Sequence, residues 1–307
     1  MVAITPIVLS ALWTGVKKNF QQGFDAQMEE SFYRDFCTVV NSEDASETYD
    51  WLGDAPEMRE WIGDRVIKDI KASGYQIANK DWEATIGVKA TDIKDDKLGT
   101  YAPRFVRMGE SAARKPDQLL SELMDTAHTL PCYDGQNFFD TEHPVYANHD
   151  GTGAVTQVSN MAAGTGPAWY LLDLNSVLRP FIFQDREAIG LVNKEDPTTS
   201  DHVFIKNSYL YGAEGRFNVG FGFWNMAYRS QQPLTNDTLD AAIEAMMGFE
   251  GDGGRPLGIK PTHLVVPTTL RGAARKVVKA QLGDGGATNV NFEEVELVVN
   301  SWLKRVA

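Results

Sequence analysis

Cysteine and basic residues are scarce in this sequence of 307 residues. Cys37 and Cys132 are its two cysteines, too few for a disulfide framework and too far apart for a metal-binding motif, so we expect a reducing compartment. Lys and Arg number 29 against 42 Asp and Glu, which gives a net charge of −13. Because nucleic acids bind mainly through Lys and Arg, this charge argues against sequence-specific nucleic-acid binding as the main function.

Long hydrophobic runs are also missing. The longest uncharged stretch, residues 151–172, is interrupted by Gly, Asn, Ser, Thr and Pro, so it does not have the sequence of a membrane helix. Near the N terminus, Lys17 and Lys18 follow the apolar run, whereas a secretory signal begins with its basic residues. We therefore expect a soluble chain with no export signal and no membrane partner.

The N-terminal segment, residues 7–30, has the periodicity of an amphipathic helix. Leu12, Trp13, Val16 and Phe20 recur at helical spacing. Such a helix could pack on its own domain or lie on a neighbouring subunit, and the pattern leaves both alternatives open.

Residues 48–96 have the alternating pattern of an extended hairpin. Trp82, Ala84, Ile86 and Val88 alternate with polar residues, and the Ser73–Gly74 pair suits a turn. A hairpin with one apolar face is costly to leave in water, so it needs either a covering domain or a partner.

The rest of the sequence combines long helical and short strand patterns. Residues 101–130 predict a spine-like helix that Pro116 would kink or break. Residues 202–211 and 217–228 predict an antiparallel pair across a glycine-containing turn, and the glycines of the second strand predict either close approach of another element or strong bending. Towards the C terminus we expect a helix over 239–246, a strand over 262–266, a helix over 270–281 and a strand over 296–302. The fold class is therefore α+β.

Two groups of residues could carry chemistry. Asp140, Glu142, His143 and His149 have a spacing that permits metal or acid–base chemistry, but the same residue types form hydrogen-bonded turns before a proline. Cys132 lies one helical turn from His128, although a single cysteine is usually a small buried side chain. Neither group has a recognisable further ligand or orienting acid, so we predict no catalytic residue, no metal and no cofactor.

The sequence gives more evidence for contacts between subunits than for a catalytic or metal site. Seven Trp, ten Tyr and fifteen Phe are typical of a protein that buries large contacts between subunits. Arg271, Arg275 and Lys279 lie four residues apart on one predicted helix face, which is either solvated or in contact with an acidic neighbour. The predicted subunit contacts are Trp13, Phe20, Trp51, Trp61, Trp82, Ile86, Val88, Arg271, Arg275 and Lys279.

Several long motifs carry a family resemblance. They are ETYDWLG at 47–53, MREWIGDR at 58–65, PCYDGQNFFDTEHP at 131–144, GFGFW at 220–224 and GDGGRPLGIKPT at 251–262. With these motifs the sequence resembles, over nearly its whole length, the major head subunit of Mu-like phages and prophages.

This resemblance implies the fold of tailed-phage major capsid proteins, named after phage HK97. In that fold an arm and an extended hairpin project from a peripheral domain with a spine helix and from an axial domain. The implied segments are an arm at 1–46, a hairpin at 47–98, a spine helix at 99–130, peripheral strands with part of the axial domain at 131–234, the axial domain at 235–290 and a C-terminal strand at 291–307 that completes the peripheral sheet.

The resemblance also implies a structural function. Hexamers and pentamers of the chain would close into an icosahedral shell around double-stranded DNA, assembled in the host cytoplasm and retained in the virion. Scaffold, portal and head-completion proteins would be partners, and packaged DNA would be contacted weakly. The alternatives are a metal-dependent hydrolase that uses Asp140, Glu142, His143 and His149, or another virion protein such as a tube or decoration subunit.

Overall fold

A computed structural model describes residues 4–53, 74–95, 98–195, 201–283 and 286–304. Its α-helices are α1 (Pro6–Met28), α2 (Tyr33–Phe36), α3 (Ala90–Lys94), α4 (Ala102–Thr126), α5 (Asp201–Lys206), α6 (Asn236–Met247) and α7 (Arg271–Val278). Its strands are β1 (Cys37–Asn41), β2 (Ser46–Thr48), β3 (Gln76–Ala78), β4 (Lys80–Lys89), β5 (His143–Tyr146), β6 (Val155–Val158), β7 (Met161–Ala162), β8 (Trp169–Leu172), β9 (Phe181–Lys194), β10 (Ser208–Phe221), β11 (Ala227–Ser230), β12 (Glu250–Gly251), β13 (Arg255–Pro256), β14 (His263–Pro267) and β15 (Glu296–Asn300). These elements have the α+β composition expected from the sequence.

Two larger sheets organise the chain. The first has the order β1-β9-β10-β4, in which β10 is antiparallel to both β9 and β4 while β1 is parallel to β9. The second has the order β15-β14-β8-β11-β7, and its middle strand β8 is buried along its whole length. A strand buried on both faces has an uninterrupted apolar sequence, as Trp169–Leu172 does.

Two hydrophobic clusters form most of the interior. The larger contains the C-terminal half of α4, all of β8 and the second half of β10, together with side chains of α6, α7 and β14. The smaller contains α1, α3, β4, the N-terminal half of α4 and the first half of β10. Because α4 and β10 run through both clusters, they connect the two parts of the interior.

The crossing of α1 and α4 depends on two glycines. A Cβ at Gly23 would overlap the carbonyl of Val106, and a Cβ at Gly109 would overlap the carbonyl of Phe20. The backbones therefore approach more closely than any side chain would allow. Of the two alternatives left open for the N-terminal helix, the structure has it packed on its own chain.

The helix predicted around Pro116 is neither broken nor divided. α4 is continuous from Ala102 to Thr126, with Pro116 buried inside it. The residue removes one helical N–H donor, and the buried stripe on both sides of it holds the helix against both clusters. Of the kink or break expected at Pro116, the break is thus wrong, while the predicted long helix is confirmed.

The strand pair predicted over 202–228 is also wrong. Residues 201–206 form α5, and β10 continues through Gly212 and Gly215 as one strand. Gly212 pairs with Thr85 on one side and Val192 on the other, so it is a ladder position and not a turn. The close approach predicted from the glycines is confirmed at Gly220, where a Cβ would overlap the side chain of Ile77.

Of the hairpin predicted over 47–98, residues 54–73 and 96–97 lie outside the described residues. Within the described part, β2 and β3 form an antiparallel pair, whereas β4 joins the first sheet beside β10. The alternation of β4 is confirmed, since Ala84, Ile86 and Val88 pack in the smaller cluster. The chain's own helices cover this apolar face, which removes the need for a partner there. The C-terminal strand β15 pairs with β14 in the second sheet and not with the first.

Candidate functional site

Two of the predicted contact residues are buried inside the chain itself. Phe20 stacks on Phe24 in α1, with ring centroids 5.8 Å apart, and Val88 is fully buried on β4. Because both side chains fill the smaller cluster, their role in this conformation is to support the subunit's own fold.

Three further candidates are half-buried. Trp13 stacks on Tyr211 at 5.9 Å between ring centroids, and Ile86 packs in the smaller cluster. The indole N–H of Trp82 donates to the carbonyl of Phe217 at 2.9 Å, and the ammonium of Lys115 lies 4.1 Å from the centroid of its ring. A charged residue in place of Trp82 would therefore first disturb the sheet of its own subunit, and only then a contact with a neighbouring subunit.

The remaining described candidates are exposed. Trp51 has 42% of its surface exposed and lies 6.0 Å from the ring of Phe223. Arg271, Arg275 and Lys279 form an exposed basic face along α7, as their spacing predicts. Trp61 lies outside the described residues. Trp51 and the α7 face are thus the predicted positions that remain available to another subunit.

The β2–β3 pair is fixed to the first sheet by polar side chains that the sequence did not single out. The buried amide of Gln184 accepts a hydrogen bond from the Tyr49 hydroxyl at 2.8 Å. The same amide donates to the carbonyl of Ile77 at 3.1 Å and to Oδ1 of Asn79 at 2.7 Å. Burial raises the pKa of Tyr49, so its hydroxyl keeps the proton that it donates.

Aromatic packing fixes the same base from its other side. The hydroxyl of Tyr75 accepts a hydrogen bond from the backbone N–H of Phe221 at 2.8 Å, and the two rings lie 6.3 Å apart. The sequence contained one signal for the contacts of Gln184. This polar residue follows Phe183 in a strand-like run of apolar residues, and a buried polar side chain needs hydrogen-bond partners.

The residues considered as a metal or acid–base group are not brought together. Asp140 accepts hydrogen bonds from the backbone of Asn137 and Thr141. This is the hydrogen-bonded turn that the sequence offered as the alternative to a metal site. Glu142 is exposed. The ring of His149 lies against Gly253, where an added Cβ would overlap the imidazole. These side chains therefore do not converge with His143 on a common ion.

His143 instead contacts residues from the preceding turn. Its Nδ1 lies 2.7 Å from Oδ2 of Asp134, and its ring stacks on Trp224 with centroids 4.0 Å apart. The Cys132 thiol donates to Oδ1 of Asp134 at 3.1 Å. Burial tends to raise the pKa of Asp134, but its hydrogen bonds to His143 and Cys132 outweigh burial and lower it.

The thiolate pair considered for Cys132 and His128 is not formed. Cys132 contacts Asp134, and burial together with that carboxylate raises the pKa of its thiol. Burial also lowers the pKa of His128, which interacts with Asp125. A buried protonated thiol is not a nucleophile, so this pair has no catalytic geometry.

Solved structures place the fold in a class. The chain matches a subunit in the procapsid of bacteriophage JBD30 with a TM-score of 0.86 and 48% identity, covering 98% of this chain and 100% of that one. It matches the JBD30 capsid with a TM-score of 0.75 and 40% identity, covering 89% and 91%. The fold is therefore that of a phage capsid protein of the HK97-like type.

The family follows from the sequence comparisons. Residues 9–303 match the model of the Mu-like prophage major head subunit gpT. The chain is 44% identical over 306 residues to the major capsid protein of Escherichia phage Mu, covering 98% of this chain and 99% of that protein. It is 41% identical over 311 residues to the Mu-like prophage FluMu major head subunit of Haemophilus influenzae, covering 99% and 100%. The chain belongs to the Mu-like prophage major head subunit family.

This membership decides between the function classes. The relatives are structural capsid subunits, so the chain is a structural component of the phage head and virion rather than an enzyme. Among the described residues, no helix is both long and apolar enough to cross a membrane.

Proposed function

We propose that copies of this chain assemble as hexamers and pentamers into a closed icosahedral shell that encloses phage double-stranded DNA. The observation that carries the proposal is the likeness to the JBD30 procapsid subunit over 98% of the chain. The contacts between subunits of a shell involve many parts of each chain. A structural match over the whole length therefore supports shell assembly better than a match limited to the hydrophobic core would. Many modest contacts in a closed shell give high combined stability.

Exposed apolar side chains support repeated contacts between copies. They come from distant parts of the sequence, and a shell would bury them in contacts between copies. The most exposed are Ile7 on α1, Val177 before β9, Ile205 on α5, and Leu282 and Val290 between α7 and β15.

Each segment has a proposed place in the shell. Residues 1–46 would form the arm, and residues 47–98 would form the extended hairpin that reaches a neighbouring subunit. α4 would be the spine helix, and residues 235–290 would form most of the axial domain. Residues 291–307 would form the C-terminal strand, whose described part, β15, pairs with β14.

The proposed partners follow from the role of a head subunit. Scaffold, portal and head-completion proteins would bind the assembling shell in the host cytoplasm. Packaged DNA would be a weak and nonspecific contact, because a subunit with a net charge of −13 does not hold phosphates tightly. Weak contact would allow the genome to enter and to leave.

Electron microscopy of particles purified after expression with the phage's other head proteins tests this proposal. We expect closed shells whose surface resolves into six-fold and five-fold rings of the chain. Open tubes would contradict the shell and favour the tube alternative, and decoration of a shell built from another protein would favour the decoration alternative.

A further inference from the structure

A compact cluster of three metal-ligating side chains lies where the chain leaves α4 and enters β5. The backbone N–H of Cys132 donates to the carbonyl of Gln136 at 2.8 Å, and Gly135 adopts a left-handed φ of 89°. This tight turn brings the side chains of Cys132 and Asp134 together. His143, the first residue of β5, approaches from the other side.

The cluster is buried and its ligand atoms are close. Cys132 is 6% exposed, the His143 side chain is fully buried and the Asp134 side chain is 11% exposed. One ligand atom from each residue lies within 4.8 Å of the others. The Trp224 ring, parallel to the imidazole within 6°, holds His143 in place. Buried ligand atoms that already lie close together favour the binding of an ion.

We propose that Cys132, Asp134 and His143 bind one divalent transition-metal ion of the Zn²⁺ type. A thiolate, an imidazole and a carboxylate are ligands that Zn²⁺ accepts together, whereas Mg²⁺ and Ca²⁺ prefer oxygen alone. Three protein ligands leave a fourth position for water. The site would be structural, because it joins the turn after α4 to β5 and to the segment that carries Trp224.

The distances in the cluster are compatible with an ion after a small adjustment. The thiol and the imidazole lie 3.1 and 2.7 Å from the two carboxylate oxygens. Ligands at about 2.0–2.3 Å from a tetrahedral ion are separated by about 3.3–3.8 Å. The two hydrogen bonds would therefore lengthen, and the three ligand atoms, which lie within 4.8 Å of one another, would move around the ion.

The protons balance in this conversion. In the metal-free cluster the Cys132 thiol is protonated and donates to Asp134. On binding, Cys132 becomes a thiolate and releases its proton, and His143 binds the ion through Nδ1 with its ring proton on Nε2, which has no hydrogen-bond partner within the described residues. Because the thiol must lose its proton, binding strengthens as the pH rises.

A titration with Co²⁺, which reports thiolate ligation by its absorption, tests the proposal on the purified full-length chain. We expect one ion for each chain, competed by Zn²⁺, with release of one proton. Cys132→Ser should weaken binding more than about a hundredfold, since loss of supporting groups alone costs 10–100-fold. Cys37→Ser is the matched control, because Cys37 is equally buried but lies outside the cluster, and it should bind as the wild type does.

Two results would overturn the proposal. One is the absence of a thiolate–Co²⁺ band in the wild-type chain, which would mean that the three residues form a hydrogen-bonded cluster only. The other is equal binding by wild type and by Asp134→Asn, a variant of nearly the same shape that serves if Cys132→Ser fails to fold. The readout needs no shell, so its failure leaves the assembly proposal intact.

Discussion

Gln184 holds the β2–β3 pair against the first sheet through its hydrogen bonds. We expect Gln184→Leu to lower the free energy of unfolding by about 2–3 kcal/mol, because it removes an amide that Tyr49, Ile77 and Asn79 share in a buried site. Urea unfolding of the soluble chain measures this change.

The matched control is Asn218→Leu on the adjacent strand. Asn218 pairs with Gln184 across β9 and β10 and donates to the carbonyl of Ala78, but that bond is exposed and water can replace it. We expect a loss below about 1 kcal/mol. Equal losses in the two variants would mean that burial of the Gln184 amide does not matter.

Buried polar residues are the part of this fold that the sequence predicts least. The alternation of β4 and the apolar stripe of α4 follow from periodicity, and both are confirmed. By contrast, the partners of Gln184 come from segments distant in the sequence, and the partner of His143 lies on the other side of a turn. Helical or strand periodicity therefore does not predict these contacts. The group around Asp140 had plausible spacing, yet its side chains point to separate partners.

At the scale of elements, the glycine crossing of α1 and α4 gives a sharp expectation. Gly109→Ala should lower the free energy of unfolding by several kcal/mol or separate the helices, because its Cβ would overlap the Phe20 backbone. Thermal unfolding monitored by circular dichroism measures the loss.

Gly15→Ala on α1 is the control for this variant. A Cβ at Gly15 meets nothing within 4 Å, so the substitution should stabilise the helix by about 0.5–1 kcal/mol. If both variants were stabilised, the close crossing would be contradicted. Helical periodicity predicted both helices, but their crossing point was not predictable, because an isolated glycine in a helical pattern also occurs without any contact.

Strand pairing shows why sequence patterns identify elements better than partners. β10 was divided at Gly212 and Gly215 because glycines usually mark turns, yet neighbours on both sides of the strand keep it extended. In the same way β4 was correctly predicted as a strand, but its pairing with β10 was not predicted. Non-local hydrogen bonds decide both cases, and they leave no local signature.

At the scale of the whole molecule, family membership and fold agree that this is a shell subunit. α4 and β10 are continuous elements that connect the two clusters of the interior. The exposed face of α7 and the exposed Trp51 remain on the surface of this subunit. A subunit built in this way is expected to act through contacts with its copies.

Sedimentation velocity of the purified chain, alone and after co-expression with the other head proteins, tests this central claim most directly. The account predicts a heavy, homogeneous species of shell size in at least the co-expressed sample, with this chain as its main component. A chain that sediments as a monomer or dimer in both samples, at high concentration and with its fold intact, would contradict it.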